Sequence, residues 1–211
     1  MSKPRLLDLF CCQGGASMGY HQAGFEVVGV DINPQPRYPF EFHQADALTF
    51  DLAGFDAIHA SPPCQAYSNA QRIRANEHPD LVAPIRERLV SAGVPWVIEN
   101  VVGAPLNDPT ILCGAMFDGL RVYRHRLFEA SFPLPAPPHP EHVAPLRKMG
   151  RPPLPGEFMH IVGNFSGVQQ GREAMGIDWM NREGLRESIP PAYARHVGAH
   201  LLADLSAHRA A

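Results

Sequence analysis

The sequence predicts an α/β fold, a mostly parallel sheet with helices on both faces. Three observations predict it. Short apolar or β-branched runs at 5–10, 26–31, 55–60 and 94–98 alternate with helical stretches such as 80–92, the pattern of parallel strands joined by crossover helices. Those runs end in glycine-rich or polar turns, where open α/β sheets bind ligands. Apolar residues make up 45% of the 211 and charged residues 18%, which suits one packed domain and excludes wholesale disorder.

The elements follow in order. RLLDLF (5–10) reads as a buried strand, and CCQGGASMGYHQAGF as a glycine-rich turn entering a short helix. EVVGVD (26–31) is a second strand ending on Asp31, and FDAIHA (55–60) is stopped by Pro62 and Pro63. The 80–92 stretch is helical, with Pro84 in its first turns, and VPWVI (94–98) leaves Glu99 and Asn100 just past the strand end. Nine prolines between Phe132 and Gly156 forbid a regular helix or central strand, so this stretch reads as an irregular excursion from the sheet. Regular pattern returns at 157–165, and a closing helix spans 190–208 with prolines at its start. The expected division is a core of 1–128, a reduced small lobe of 129–180 and a closing segment of 181–211 that returns to the core.

Composition excludes several classes. No apolar run approaches the roughly 20 residues that span a bilayer, and MSKPRLLDLF lacks the pattern of a signal peptide. Four cysteines, two of them adjacent, make no disulfide framework. A cytoplasmic location is therefore expected. The net charge of −3 gives no global support for nucleic-acid binding, so any such claim rests on local patches. The histidines read as scattered, without paired ligand spacing. No metal is expected, and His125 is expected to face away from the pocket.

Three turns carry chemistry. Strand, glycine turn, helix, strand and terminal acid form a nucleotide-site pattern. Gly15 and Asp31 lie 16 residues apart, near the roughly 20 of dinucleotide sites. Neither GxGxxG nor a Walker lysine is present, so a ribose-bearing cofactor without pyrophosphate fits better, S-adenosylmethionine being one. The alternative is a tight turn with Asp31 facing solvent. In SPPCQAYS, Cys64 sits on a proline-rigidified loop past a strand, placed as a nucleophile or else a buried inert thiol. Glu99 is either a partly desolvated general acid or half of a capping Glu-Asn pair.

Taken together, these residues resemble the cytosine-C5 DNA methyltransferases, in order and over most of the chain. LDLFCCQGGASMGYHQAGF resembles the family's first cofactor motif, SPPCQAYS its catalytic loop, ENV its glutamate motif, YRHRLF its twin-arginine motif and ESIPPAYARHVG its closing motif. The resemblance implies a Rossmann-like fold that uses S-adenosylmethionine, with a small proline-rich recognition region. It implies a cofactor site of Phe10, Gly14, Gly15, Asp31, Ile32, Asp46, Ala47, Pro62, Glu187 and Ser188. Phe10 stacks on the adenine, Asp31 takes the ribose and Asp46 the adenine amino group. It also implies catalysis by Cys64 as nucleophile, with Pro63 in its loop. Glu99 acts at the ring N3 and amino group, Asn100 orders the loop, Arg126 holds the O2 side and Arg124 the neighbouring backbone. The target cytosine is flipped out of duplex DNA.

Three departures qualify the resemblance. Cys12 stands where many relatives have glycine, and Glu187 where they carry Asn or Gln. The third is that only 129–180 is available for target recognition. Residues 121–151 hold six basic residues against two acids, a local +4, which reads as a phosphate-contact strip. The expected nucleic-acid contacts are Gln65, Ser68, Arg72, Arg74, Arg124, Arg147, Lys148 and Arg151. A short recognition sequence, a specificity partner or a homodimer follows. Alternatives are a tRNA-cytosine enzyme, transfer of a carboxylated one-carbon group, or a non-catalytic DNA-binding homologue. Restriction protection and marking of viral DNA are both compatible roles.

Overall fold

The computed structural model describes residues 2–64, 80–147, 151 and 153–210. A seven-stranded sheet has the order β3-β2-β1-β4-β5-β7-β6. Its strands are β1 (Arg5–Leu9), β2 (Glu26–Asp31), β3 (Glu41–Gln44), β4 (Ala57–Ala60), β5 (Trp96–Asn100), β6 (Thr110–Leu112) and β7 (Arg126–Ala130). The first five are parallel neighbours, and β7 runs antiparallel between β5 and β6. The described helices are α1 (Gly15–Ala23), α2 (Val82–Ala92), α3 (Val168–Met175), α4 (Arg182–Glu187) and α5 (Pro191–Ala210). The predicted α/β class is the observed one.

The core lies on both faces because neighbouring residues of a strand point to opposite sides. Leu6, Val97 and Phe128 pack beneath α1 and α5 against Tyr20, Tyr193 and Val197. Leu7, Leu9, Val28, Ile58 and Ile98 pack on the other face with Ile85 and Leu89 of α2. Strands β1 and β4 are thus covered twice, which is why they read as near-continuous apolar runs. A third cluster, Val122 with Met159, Ile161, Phe165, Met175 and Leu185, binds the 157–189 stretch together. On β7, buried Glu129 takes both Nε and Nη2 of Arg86 at 2.7 Å, pinning α2 to the sheet.

Three boundaries differ from expectation. Strand β5 continues through Glu99 and Asn100, which pair opposite Phe128 and Leu127; hydrogen bonding to β7 extends it past the apolar run. Residues 157–165 form no strand: Phe158 makes a single isolated bridge with Leu146. The apolar side chains there pack as irregular chain into the third cluster. The expected limit of the core at 128 falls inside β7. From β1 the chain passes outward to β2 and β3, then returns to β4 on the other side of β1. Their carboxyl ends therefore open the crevice of a topological switch point.

Candidate active site

The loop after β1 turns sharply. Phe10, Cys12 and Gly14 have φ of 61°, 45° and 84°. Left-handed backbone is uncommon for non-glycine residues and costs roughly 1 kcal/mol or more, so its concentration marks a shaped loop. At Gly15 an added Cβ would strike the Ser188 hydroxyl, so the first motif packs directly on the closing one. Asp31 is buried. Its Oδ2 accepts the Cys12 amide at 3.1 Å and its Oδ1 the Asn33 amide at 2.9 Å. It faces the glycine loop and not solvent.

A cavity of about 420 Å³ occupies the crevice. Phe10, Gly15, Asp31 and Ile32 line one side; Pro62, Pro63, Cys64, Glu99, Asn100 and Arg126 line the other, and Glu187 and Ser188 border it. Gly14 shapes the loop from outside this lining. Asp46 and Ala47 are not brought to the cavity. The Asp46 carboxylate caps its own turn at the Leu48 amide, 2.9 Å away, and Ala47 is buried in the core.

Glu99 is buried on β5. Burial pushes its pKa up, against the pull of Arg126, the Ser61 hydroxyl and Arg124. Arg126 Nε stands 3.1 Å from Glu99 Oε1, yet that oxygen receives no aligned hydrogen bond. The pair is a charge contact that leaves an acceptor unpartnered. Asn100 Nδ2 donates to Pro62 O at 3.0 Å, holding the loop of Cys64. Cys64 is half-buried. Burial raises its thiol pKa, and Arg126 opposes the rise. The cavity suits a cofactor with hydroxyls and a cationic centre. Asp31 offers further lone pairs, Ile32 an exposed apolar surface, and Asp8 Oδ1 and Glu99 Oε1 are buried acceptors without partners.

The C-5 cytosine-specific DNA methylase family model matches residues 4–104. Type II methyltransferase M.HgiGI of Herpetosiphon aurantiacus is 34% identical over 124 residues, covering 49% of this chain and 94% of that protein. The chain belongs to the C-5 cytosine-specific DNA methylase family. M.HgiDI of the same organism is 30% identical over 119 residues, and the match spans only 38% of its length. Among solved structures, an E. coli prophage chain described as a DNA modification methyltransferase has a TM-score of 0.68 at 15% identity. It covers 97% of this chain and all of the other. Entamoeba histolytica methyltransferase EhMeth gives 0.63 at 11% identity, covering 97% of this chain and 99% of its own. At such identities these two speak for the fold.

Within the family frame, the twin-arginine segment acts as a latch. Arg124 Nη1 donates to Ile161 O at 2.9 Å and Nη2 to Arg186 O at 2.6 Å, tying the third cluster to the closing segment. Gln13 Nε2 donates to Asn181 Oδ1 and Trp179 Nε1 to Gln13 O, tying the first loop to residues 179–181. Two expected phosphate contacts are corrected. Arg147 is buried, its Nη1 on Arg151 O at 2.8 Å, and Arg151 grips Glu157 through both nitrogens at 2.6 and 2.7 Å. Arg151 is paired inside the protein, and Arg147 is buried away from the surface. Gln65, Ser68, Arg72, Arg74 and Lys148 lie outside the described residues.

Two features escaped the sequence reading. Tyr20 OH and His59 Nδ1 are 2.9 Å apart, and His59 Nε2 is 2.8 Å from Ser61 Oγ. The Ser61 hydroxyl also lowers the Glu99 pKa. If Ser61 donates to the carboxylate, the remaining directions follow: Nε2–H donates to Ser61 and Tyr20 donates to Nδ1. The signal was a histidine inside an otherwise apolar strand. The second feature corrects the expectation of scattered histidines: Cys113, His125, His139 and His142 converge. Among the described residues, no helix is long and apolar enough to cross a membrane.

Proposed function

We propose that the chain is a DNA (cytosine-5)-methyltransferase that acts on a flipped-out cytosine through a covalent bond from Cys64 to C6. The supporting observation is the shared cavity of Asp31 and Phe10 with Cys64, Glu99 and Arg126. S-adenosylmethionine, when bound, supplies an electrophilic methyl group. Phe10 and Ile32 offer apolar surface to its adenine, and Asp31 accepts ribose hydroxyls.

The residues divide the work. Cytosine C5 is a poor nucleophile. Addition of the Cys64 thiolate to C6, with a proton delivered to N3, makes C5 enamine-like. Glu99 suits that proton transfer because burial raises its pKa and favours the protonated acid. Its unpartnered oxygen accepts from the exocyclic amino group. Arg126 holds the O2 side. Asn100, through Pro62 O, positions the thiol. Once C5 is alkylated, its proton leaves, the electron pair re-forms the C5–C6 double bond and the sulfur departs.

The test is nucleoside mass spectrometry on unmodified duplex DNA incubated with S-adenosylmethionine and the protein, beside Cys64→Ala. The expected product, 5-methyldeoxycytidine, forms only with Cys64, and its rate falls by at least about 10³-fold in the variant. A folded protein that leaves duplex DNA unmodified but methylates tRNA overturns the substrate. Methylation that survives loss of Cys64 overturns the mechanism.

A further inference from the structure

We propose that Cys113, His125, His139 and His142 form a tetrahedral zinc site that staples the proline-rich excursion to the twin-arginine segment. Cys113 follows edge strand β6, His125 precedes β7, and the other two histidines lie in the excursion. One sulfur and three ring nitrogens from these three places all lie within 4.8 Å of one another.

The spacing suits a metal. Zn–S near 2.3 Å and Zn–N near 2.0–2.1 Å put tetrahedral ligand atoms roughly 3.3–3.6 Å apart. Cys113 Sγ is 3.2 Å from His142 Nε2, and His125 Nε2 is 3.3 Å from His139 Nε2. The nitrogen–nitrogen edge already has ligand length, and the sulfur–nitrogen edge is a few tenths of an ångström short of it. The donor set, one thiol and three imidazoles with no carboxylate, selects zinc over the hard cations magnesium and calcium. Four protein ligands close the coordination sphere, so the role is structural. On binding, the Cys113 thiol releases its proton to water and its sulfur donates an electron pair to the metal. The imidazoles remain neutral, and nothing is oxidised or reduced.

The surroundings support the same assignment. Tyr123 lies flat on the His142 ring at 3.7 Å and 14°, and its hydroxyl donates to Ala144 O at 2.7 Å. The stack holds the plane of the His142 ring. Cys113 is buried, whereas His139 and His142 are exposed, so an ion has a path from solvent. The excursion from 131 to 147 has no helix and no strand beyond the Leu146 bridge. A chain stretch without ladder hydrogen bonds gains order from a cross-link. His125 stands between Arg124 and Arg126, and Arg124 has φ 33°. The metal would fix the backbone that aims both guanidinium groups.

The untagged full chain, expressed with zinc and purified without chelator, is measured by elemental mass spectrometry beside His139→Gln/His142→Gln and Cys64→Ser. About one zinc per chain is expected in the parent and in Cys64→Ser, and under about 0.1 in the double variant. Cobalt substituted into the parent is expected to show tetrahedral d–d bands and a thiolate charge-transfer band, which Cys113→Ser loses. Strong chelator lowers the melting temperature of the parent and leaves the double variant unmoved. Both substituted histidines are exposed, so that variant keeps its core. A folded parent that holds no zinc, or a double variant that holds as much, overturns the proposal. So does cobalt bound only octahedrally.

Discussion

At the scale of single residues, the candidate site sets two titrations against each other. Burial raises both the Cys64 thiol and the Glu99 carboxyl. The thiol must lose its proton to attack C6, and the carboxyl must keep its own to serve N3. The thiol starts from the higher ordinary value, so the expected kcat/KM profile is a bell whose ascending limb follows Glu99 and whose descending limb follows Cys64. In Glu99→Gln the amide offers a donor that does not titrate. Activity falls by about 10²–10⁴-fold, and the profile becomes a single rise to a plateau, set by Cys64. A descending limb that survives this change sinks the assignment. Ser61→Ala removes the hydroxyl that lowers the Glu99 pKa, so the ascending limb moves to higher pH. A merely structural role for Ser61 would move the height of the bell and not its edge.

At the scale of elements, α1 and α5 pack with almost no space between their backbones. A Cβ at Gly19 would strike Pro191 O and come within 2.7 Å of Ala194 Cβ and Arg195 N. Two of these neighbours are backbone atoms and cannot swing aside. Gly19→Ala, a change that raises intrinsic helix propensity, is nevertheless expected to destabilise by about 1–3 kcal/mol. The melting temperature should drop by several degrees; an unchanged or higher value contradicts the close approach. Elements also mark how far the sequence was legible. β1, β2 and β4 are buried, so their apolar runs announce them. β3 is an edge strand of largely exposed, polar residues and sends no such signal. Phe158, Met159 and Ile161 look like a strand because burial, not strand geometry, selects apolar residues. Cys64 and Glu99 were legible because ligands gather at strand ends, and Arg126 only through the resemblance of YRHRLF to a family motif. The His125, His139 and His142 convergence was not, because it depends on how an irregular chain folds back on itself.

At the scale of the whole molecule, two buried groups shape stability against pH in opposite senses. His59 is held down to about 3 by burial. Below its ordinary value near 6.5 the unfolded chain binds a proton that the fold refuses, so stability falls as pH drops from about 6.5 toward 3. Asp8 is pushed up to about 7, chiefly by burial and despite its bond from Ser17. Between the ordinary 3.8 and about 7 the fold keeps a proton that the unfolded chain releases. Stability therefore falls as pH rises through that window and stays reduced above it. The two slopes oppose each other from about pH 4 to 6.5, which flattens the wild-type curve. Asp8→Asn removes one of them. Its amide oxygen still accepts from Ser17, and no charge has to be buried. Relative to wild type, the variant is expected to gain stability by a few kcal/mol at most between pH 5 and pH 8, read from urea midpoints at constant slope. A difference between the two proteins that is the same at both pH values means that Asp8 enters the fold already ionised.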